Sequence, residues 1–264
     1  MNLELSTGVR LHVRDRGPGS GPGTPSYLFI HGWAVSGAVW DPILERWPDT
    51  AGRVLVPDQR GTGFSDKPHT GYTLDTYVGD MVALIDQLAL TDVVLVGHSM
   101  GGTIAQRVAL ERQAALRSLV LVSPVPASGV PLDDAQITYF RSLGGTREGA
   151  EQVLSMVMAR RPEEPLFERM VRDAATVCIA AFLDGFDAWR TASFAERLSE
   201  LTLPTLVLGG SDEQPLTPDF IKAAVADKIA GARFELLQGS GHYPQWEAPD
   251  ALLAHLLAAA KLGR

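Results

Sequence analysis

Short apolar runs recur along the chain: Tyr27-Leu28-Phe29-Ile30, Val54-Leu55-Val56, Val93-Val94-Leu95-Val96, Leu119-Val120-Leu121-Val122, Leu206-Val207-Leu208 and Phe234-Glu235-Leu236-Leu237. They are apolar on successive positions and rich in β-branched residues, as expected of strands covered on both faces in a parallel sheet. Helical patterns lie between them. Thr73 to Leu90 places Tyr77, Met81, Leu84, Ile85 and Leu88 at spacings of three and four. Ser99 to Arg112 and Pro249 to Leu262 read the same way, the last opening on a proline suited to a first helical turn. Strand and helix in alternation predict a doubly wound α/β sheet.

Two segments depart from this rhythm. Asn2 to Leu5 and Val9 to Asp15, split by Thr7-Gly8, alternate polar and apolar positions and predict an antiparallel hairpin; Gly17 to Pro25 (GPGSGPGTP) reads as a loop. From Val125 to Glu200 no strand-like run appears, only helical patterns such as Ala150 to Arg160 and Leu166 to Phe182. At about 75 residues this is several times an ordinary crossover. An inserted helical lid is expected, dividing the chain into a core of residues 1–124 and 201–264 and a cap of residues 125–200.

The chain has 264 residues, 45% of them hydrophobic and 20% charged, so a substantial core is affordable and a disordered or fibrous protein is excluded. A net charge of -8 argues against nucleic acid and anionic membranes as partners. The one cysteine, Cys178, permits neither an internal disulfide nor a cysteine zinc site, and is expected to be a small buried hydrophobe. The amino terminus lacks a basic start followed by an apolar stretch, and the run Leu252 to Leu262 is too short to span a bilayer. A cytoplasmic monomer or homodimer acting on a small molecule is expected.

The sharpest chemical signal is Gly97-His98-Ser99-Met100-Gly101-Gly102, directly after the strand Val93 to Val96. It fits G-x-S-x-G between strand and helix, a tight strained turn with the nucleophile at its apex. By itself the pattern also suits a helix N-cap serine; the flanking strand and helix favour the nucleophile. The Met100 amide can receive developing negative charge. His31-Gly32-Trp33 follows an earlier strand and can supply a second oxyanion donor, the Trp33 amide.

Serine needs a base. Of the six histidines, His12 sits in the hairpin, His69 in a Pro-rich loop and His255 in the last helix, while His31 and His98 belong to the two motifs. His242 follows the strand Phe234 to Leu237, on the sheet edge where open α/β sheets place ligands. Asp212, after Leu206 to Leu208 through Gly209-Gly210-Ser211, is expected to orient it, with Glu213 as the fallback. The end of Leu119 to Val122 continues Ser123-Pro124-Val125-Pro126 and offers no carboxylate. Further contacts to substrate are expected from His31, Gly32, His98, Phe140, Met156 and Trp189. No H-E-x-x-H, P-loop or dinucleotide motif is present, so no metal or organic cofactor is expected.

Over nearly its whole length the chain resembles α/β-hydrolase-fold serine hydrolases with a helical cap. The resemblance rests on HGW (31–33), PDQRGTGFSDKP (57–68), GHSMGG (97–102), GGSD (209–212) and GSGHYPQWEAP (239–249). It implies a mostly parallel sheet with an amino-terminal antiparallel hairpin, helices on both faces and an inserted cap. It also implies the order Ser99, Asp212, His242, a Trp33–Met100 oxyanion hole, and a structural role for Asp58 to Ser65. The implied activity is hydrolysis of a carboxylic ester or lactone. The alternatives are a carbon–carbon bond hydrolase or perhydrolase using the same triad, and a small-ligand receptor of the same fold. Ser99 disfavours haloalkane dehalogenases and common epoxide hydrolases, which carry Asp there. The cap, with 8 Arg, no Lys and 12 Asp plus Glu, lacks a basic face for an acyl carrier protein. It has many aromatic residues, which would suit a bulky apolar ester if they face the site.

Overall fold

A computed structural model describes residues 1–17, 24–214 and 216–262; most of the expected Gly17–Pro25 loop lies outside them. The apolar runs form strands of one eight-stranded sheet: β1 (Asn2–Glu4), β2 (Arg10–Arg16), β3 (Ser26–Ile30), β4 (Arg53–Pro57), β5 (Val93–His98), β6 (Leu116–Val122), β7 (Thr205–Gly210) and β8 (Arg233–Leu237). Their spatial order is β1-β2-β4-β3-β5-β6-β7-β8. The β1–β2 and β2–β4 pairs are antiparallel and the others parallel, so the hairpin is an edge on a parallel sheet.

Period-two alternation between two covered faces explains why the central strands β3 to β7 are buried on nearly every position, whereas β8, expected to be covered on both faces, lies at the sheet edge with Glu235 and Leu236 exposed. Leu28, Ile30, Val93, Leu95, Leu119 and Leu121 pack in one cluster with Met81, Leu84, Ile104 and Val108. Their neighbours Tyr27, Phe29, Val94, Val96, Val120 and Val122 pack in the other, with Trp40, Ile43, Leu252 and Leu256. Met81 and Leu84 lie on α2 (Leu74–Gln87), Ile104 and Val108 on α3 (Met100–Arg112), and Ile43 on α1 (Asp41–Glu45), while Leu252 and Leu256 come from the last helix; α2 opens on Thr73, whose hydroxyl accepts from the Thr76 amide. Arg60 and Asp80, both buried, form a bidentate ion pair between the Asp58–Ser65 loop and α2, with both N···O distances 2.6 Å.

Between β6 and β7 the described chain is helical: α4 (Asp134–Ser142), α5 (Arg147–Val157), α6 (Glu164–Ala174) and α7 (Ile179–Arg190). The expected continuous helix over Leu166 to Phe182 is in fact α6 and α7. Thr176 turns its hydroxyl back onto the Asp173 carbonyl, at 2.7 Å, and the Cys178 amide leaves the helix to bond Gly61 O at 2.9 Å. Cys178 itself is half-buried rather than enclosed, its Sγ 3.2 Å from the Tyr72 hydroxyl. The chain closes with α8 (Pro218–Ala224), α9 (Pro244–Glu247) and α10 (Pro249–Ala259). No helix among the described residues is long and apolar enough to cross a membrane.

Candidate active site

The sheet brings three chain segments to the carboxyl ends of β5, β7 and β8. Ser99 lies between β5 and α3 with φ +55° and ψ −121°, a left-handed backbone that a non-glycine residue adopts only under constraint. The constraint is steric. A Cβ at residue 97 would sit 2.3 Å from Gly101 O, and one at residue 101 would sit 2.4 Å from the His31 and Ile30 carbonyls. Glycine at both positions lets the turn close, and the Ser99 amide bonds Val122 O at 3.1 Å, pinning the apex to the next strand.

Ser99 Oγ donates to Nε2 of His242 at 2.9 Å, and the opposite ring nitrogen, Nδ1, donates to Glu213 Oε1 at 2.6 Å. That pairing fixes the tautomer: Nε2 is left as an acceptor facing the hydroxyl. Glu213 is 2% exposed, and its second oxygen, Oε2, accepts from Ser123 Oγ at 2.7 Å. The carboxylate paired with His242 is therefore Glu213, and not Asp212 as expected. The turn after β7 directs residue 212 outward. The Asp212 amide bonds Ser240 O at 2.9 Å, and its exposed carboxylate takes only the Ser211 hydroxyl, at 2.8 Å. Residue 213, one step further round, points inward, and its extra methylene reaches the imidazole. Ser123, which carries the far oxygen, stands at the strand end that offered no carboxylate and adopts φ +43°.

His31 and His98, expected to touch substrate, hold backbone instead. His31 Nδ1 donates to Gly32 O at 2.8 Å and Nε2 accepts the Gln59 amide at 3.0 Å. His98 Nε2 donates to His242 O at 2.8 Å, fixing the main chain of the base. Both rings are fully buried, and burial disfavours their charged forms: His31 falls to about 4, and His98 also titrates well below the ordinary histidine range, lowered further by the neighbouring His242. Gly32 packs against the nucleophile, since a Cβ there would lie 3.0 Å from Ser99 Cβ. Among the described residues, the backbone N–H groups of Trp33 and Met100 find no acceptor. Two free donors thus flank the serine, one on each adjoining segment.

A cavity of about 680 Å3, part of it open to solvent, stands over Ser99 and His242. The sheet side contributes Trp33, Leu216 and Tyr243; the helical segment contributes Val125, Val130, Leu132, Phe140, Val153, Val157 and Trp189. Of the cap residues expected to touch substrate, Phe140 and Trp189 line the cavity, whereas Met156 is 40% exposed and does not. The Trp33 indole packs 4.4 Å from Phe182 and donates to the Phe182 carbonyl at 2.7 Å, tying the loop after β3 to α7. Among the described residues no group of three or more His, Cys, Asp or Glu side chains is disposed to hold a metal.

This fold and elbow define a hydrolase class, and comparison gives the same answer. Residues 27–255 match the alpha/beta hydrolase family, and the chain belongs to it. The non-heme chloroperoxidase CPO-A1 of Kitasatospora aureofaciens is 31% identical, with 89% of each chain covered. The bifunctional esterase/perhydrolase DCH of Acinetobacter calcoaceticus is 29% identical over 95% of this chain and 96% of its own. Among solved structures, a thermophilic esterase from Thermogutta terrifontis superposes with a TM-score of 0.83 at 26% identity, covering 100% of this chain and 99% of that one.

Proposed function

We propose that the protein cleaves a carboxylic ester or lactone through an acyl-enzyme on Ser99. The observation that carries this reading is the unbroken chain from Ser99 Oγ through His242 to Glu213 beneath an apolar cavity. In the proposed cycle His242 takes the Ser99 proton as the oxygen attacks the substrate carbonyl. Glu213 holds the imidazolium that forms, and the amides of Trp33 and Met100 receive the oxyanion, each worth about 3 kcal/mol of barrier. The tetrahedral species collapses as His242 protonates the departing alcohol. Water then enters, gives its proton to His242 and attacks the acyl carbon; the second tetrahedral species collapses to the carboxylic acid as His242 returns that proton to Ser99 Oγ. Residues 125–200 act as the cap whose inner face shapes the acyl site.

Perhydrolysis is a second reading, favoured by the named activity of the Acinetobacter relative. It needs hydrogen peroxide in place of water at the second step, giving a peroxy acid and the free serine.

Labelling with a fluorophosphonate and turnover of p-nitrophenyl esters test the proposal. Wild type should label at Ser99 and hydrolyse; Ser99→Ala should do neither. Turnover that survives Ser99→Ala would overturn the mechanism, and absence of both in wild type would favour a receptor.

A further inference from the structure

We infer that the acyl site selects uncharged, apolar acyl groups and rejects acyl groups bearing a carboxylate. This deepens the esterase reading and rests on it.

Beyond Ser99 and His242 the cavity wall is aliphatic or aromatic, and among the described residues no Lys or Arg side chain lines it. A recognition site for an anionic acyl chain needs a cation or a cluster of N–H donors to replace lost hydration. The wall offers neither. Val153 and Val157 of α5, Val130, Leu132 and Leu216 present only methyl groups; the Trp33 indole N–H is already spent on Phe182 O, and the buried Trp189 Nε1, which has no hydrogen-bond partner, is one neutral donor and not a cluster. The acidic group paired with His242 has the wrong sign for holding a carboxylate: Glu213 is buried behind the His242 ring, 2.6 Å from Nδ1. A second negative charge in the cavity would be both desolvated and repelled.

The feature is a selectivity device as well as an apolar surface. A methyl-terminated chain gains by burial against the wall, while a carboxylate of the same length loses its water with nothing in return. The α5 positions are where this selectivity can be reversed. Val157 is half-buried at the end of α5, and its carbonyl already accepts the His242 amide at 3.2 Å, a contact that a change of side chain leaves in place.

The test compares three p-nitrophenyl esters sharing one leaving group: the pentanoate, the glutarate monoester, in which a carboxylate replaces the terminal methyl, and the methyl ester of that glutarate. The pentanoate should exceed the free-acid glutarate by about 100-fold or more in kcat/KM, equivalent to about 2.7 kcal/mol. The methyl ester should fall within about tenfold of the pentanoate, showing that charge and not polarity decides. Val157→Arg should raise the free-acid substrate relative to the pentanoate by about tenfold or more, in a salt-sensitive way, while the uncharged Val157→Gln should not. If wild type turns over acid and pentanoate about equally, the charge selectivity is refuted while the serine-hydrolase reading stands. If none of the three is hydrolysed and Ser99 does not label, the reading beneath it fails and the inference goes with it.

Discussion

Glu213 Oε1 sits 2.6 Å from His242 Nδ1, and the neighbouring Asp212 carboxylate reaches only Ser211. The two acids are consecutive in the chain and opposite in environment, one enclosed and one in solvent. A buried carboxylate with two hydrogen bonds is held as a fixed charge, able to orient an imidazole and to stabilise its protonated form. A solvated one beside a turn does neither.

Glu213→Gln keeps the shape of the acid and removes its charge, and its amide can force the wrong imidazole tautomer. We expect kcat to fall by about 100-fold to 10,000-fold with the fold intact. Asp212→Asn should change kcat by less than about threefold, as for a surface group outside the site. Steady-state kinetics of the two variants side by side decide between the acids.

The strands, the serine turn and the histidine that meets it are legible in the sequence because each has a local signature. Short runs of apolar and β-branched residues between helical patterns suit strands of a covered sheet, as at β3 to β7, although the edge strand β8 is half solvent-facing; glycine at 97 and 101 marks a forced backbone, and His242 follows a strand end. The acid was ambiguous because a turn decides which of two adjacent carboxylates faces inward, and that depends on the Asp212 amide meeting Ser240 O across the sheet. The end of β6 carries no carboxylate of its own, yet its Ser123 hydroxyl holds the one at Glu213. Helix α4 did have a readable start, since Asp133 and Gln136 form a capping box. The division of α6 from α7 did not, because the amide of Cys178 is drawn off by the distant Gly61 carbonyl.

Ser123→Ala removes the donor to Glu213 Oε2 and leaves a buried carboxylate oxygen without a partner. The cost to stability should be about 1–3 kcal/mol. Because Glu213 then has one anchor instead of two, kcat should fall while KM changes little. Urea unfolding and initial rates on the same preparation check both; unchanged kcat would remove Ser123 from the positioning of the acid.

Acid should destabilise the fold in a window set by the two buried histidines. In the unfolded chain His31 takes its proton near pH 6.5, whereas in the folded protein burial delays this to about 4; His98 is shifted in the same direction. Between those limits the unfolded state binds more protons, so stability is full above the upper limit and drains as pH falls. The slope is about 1.4 kcal/mol per pH unit for each histidine. Asp173, raised by burial, takes its proton earlier in the folded state and offsets part of the loss at the acidic end. Urea midpoints at several pH values from neutrality downward should decline, and a flat profile would contradict the assignment of both rings as buried and neutral.

Trp33 joins the proposed oxyanion loop to α7 through its side chain, while its backbone N–H finds no acceptor among the described residues. Its ring packs against Phe182, Phe186 and Trp189 at centroid distances of 4.4, 5.5 and 6.1 Å, and its Nε1 donates to Phe182 O. Trp33→Phe preserves most of the packing and deletes the hydrogen bond, at a cost to stability of about 1 kcal/mol. If that bond positions the loop, kcat should drop by about threefold to tenfold and fluorophosphonate labelling of Ser99 should slow in parallel, because both reactions place negative charge against the same amide. Substrates with short and long acyl chains should lose equally, since the amide acts on the carbonyl they share. A loss confined to long chains would instead mean that the indole serves only as a wall of the cavity, leaving the amide's position to the backbone of residues 31–33 alone.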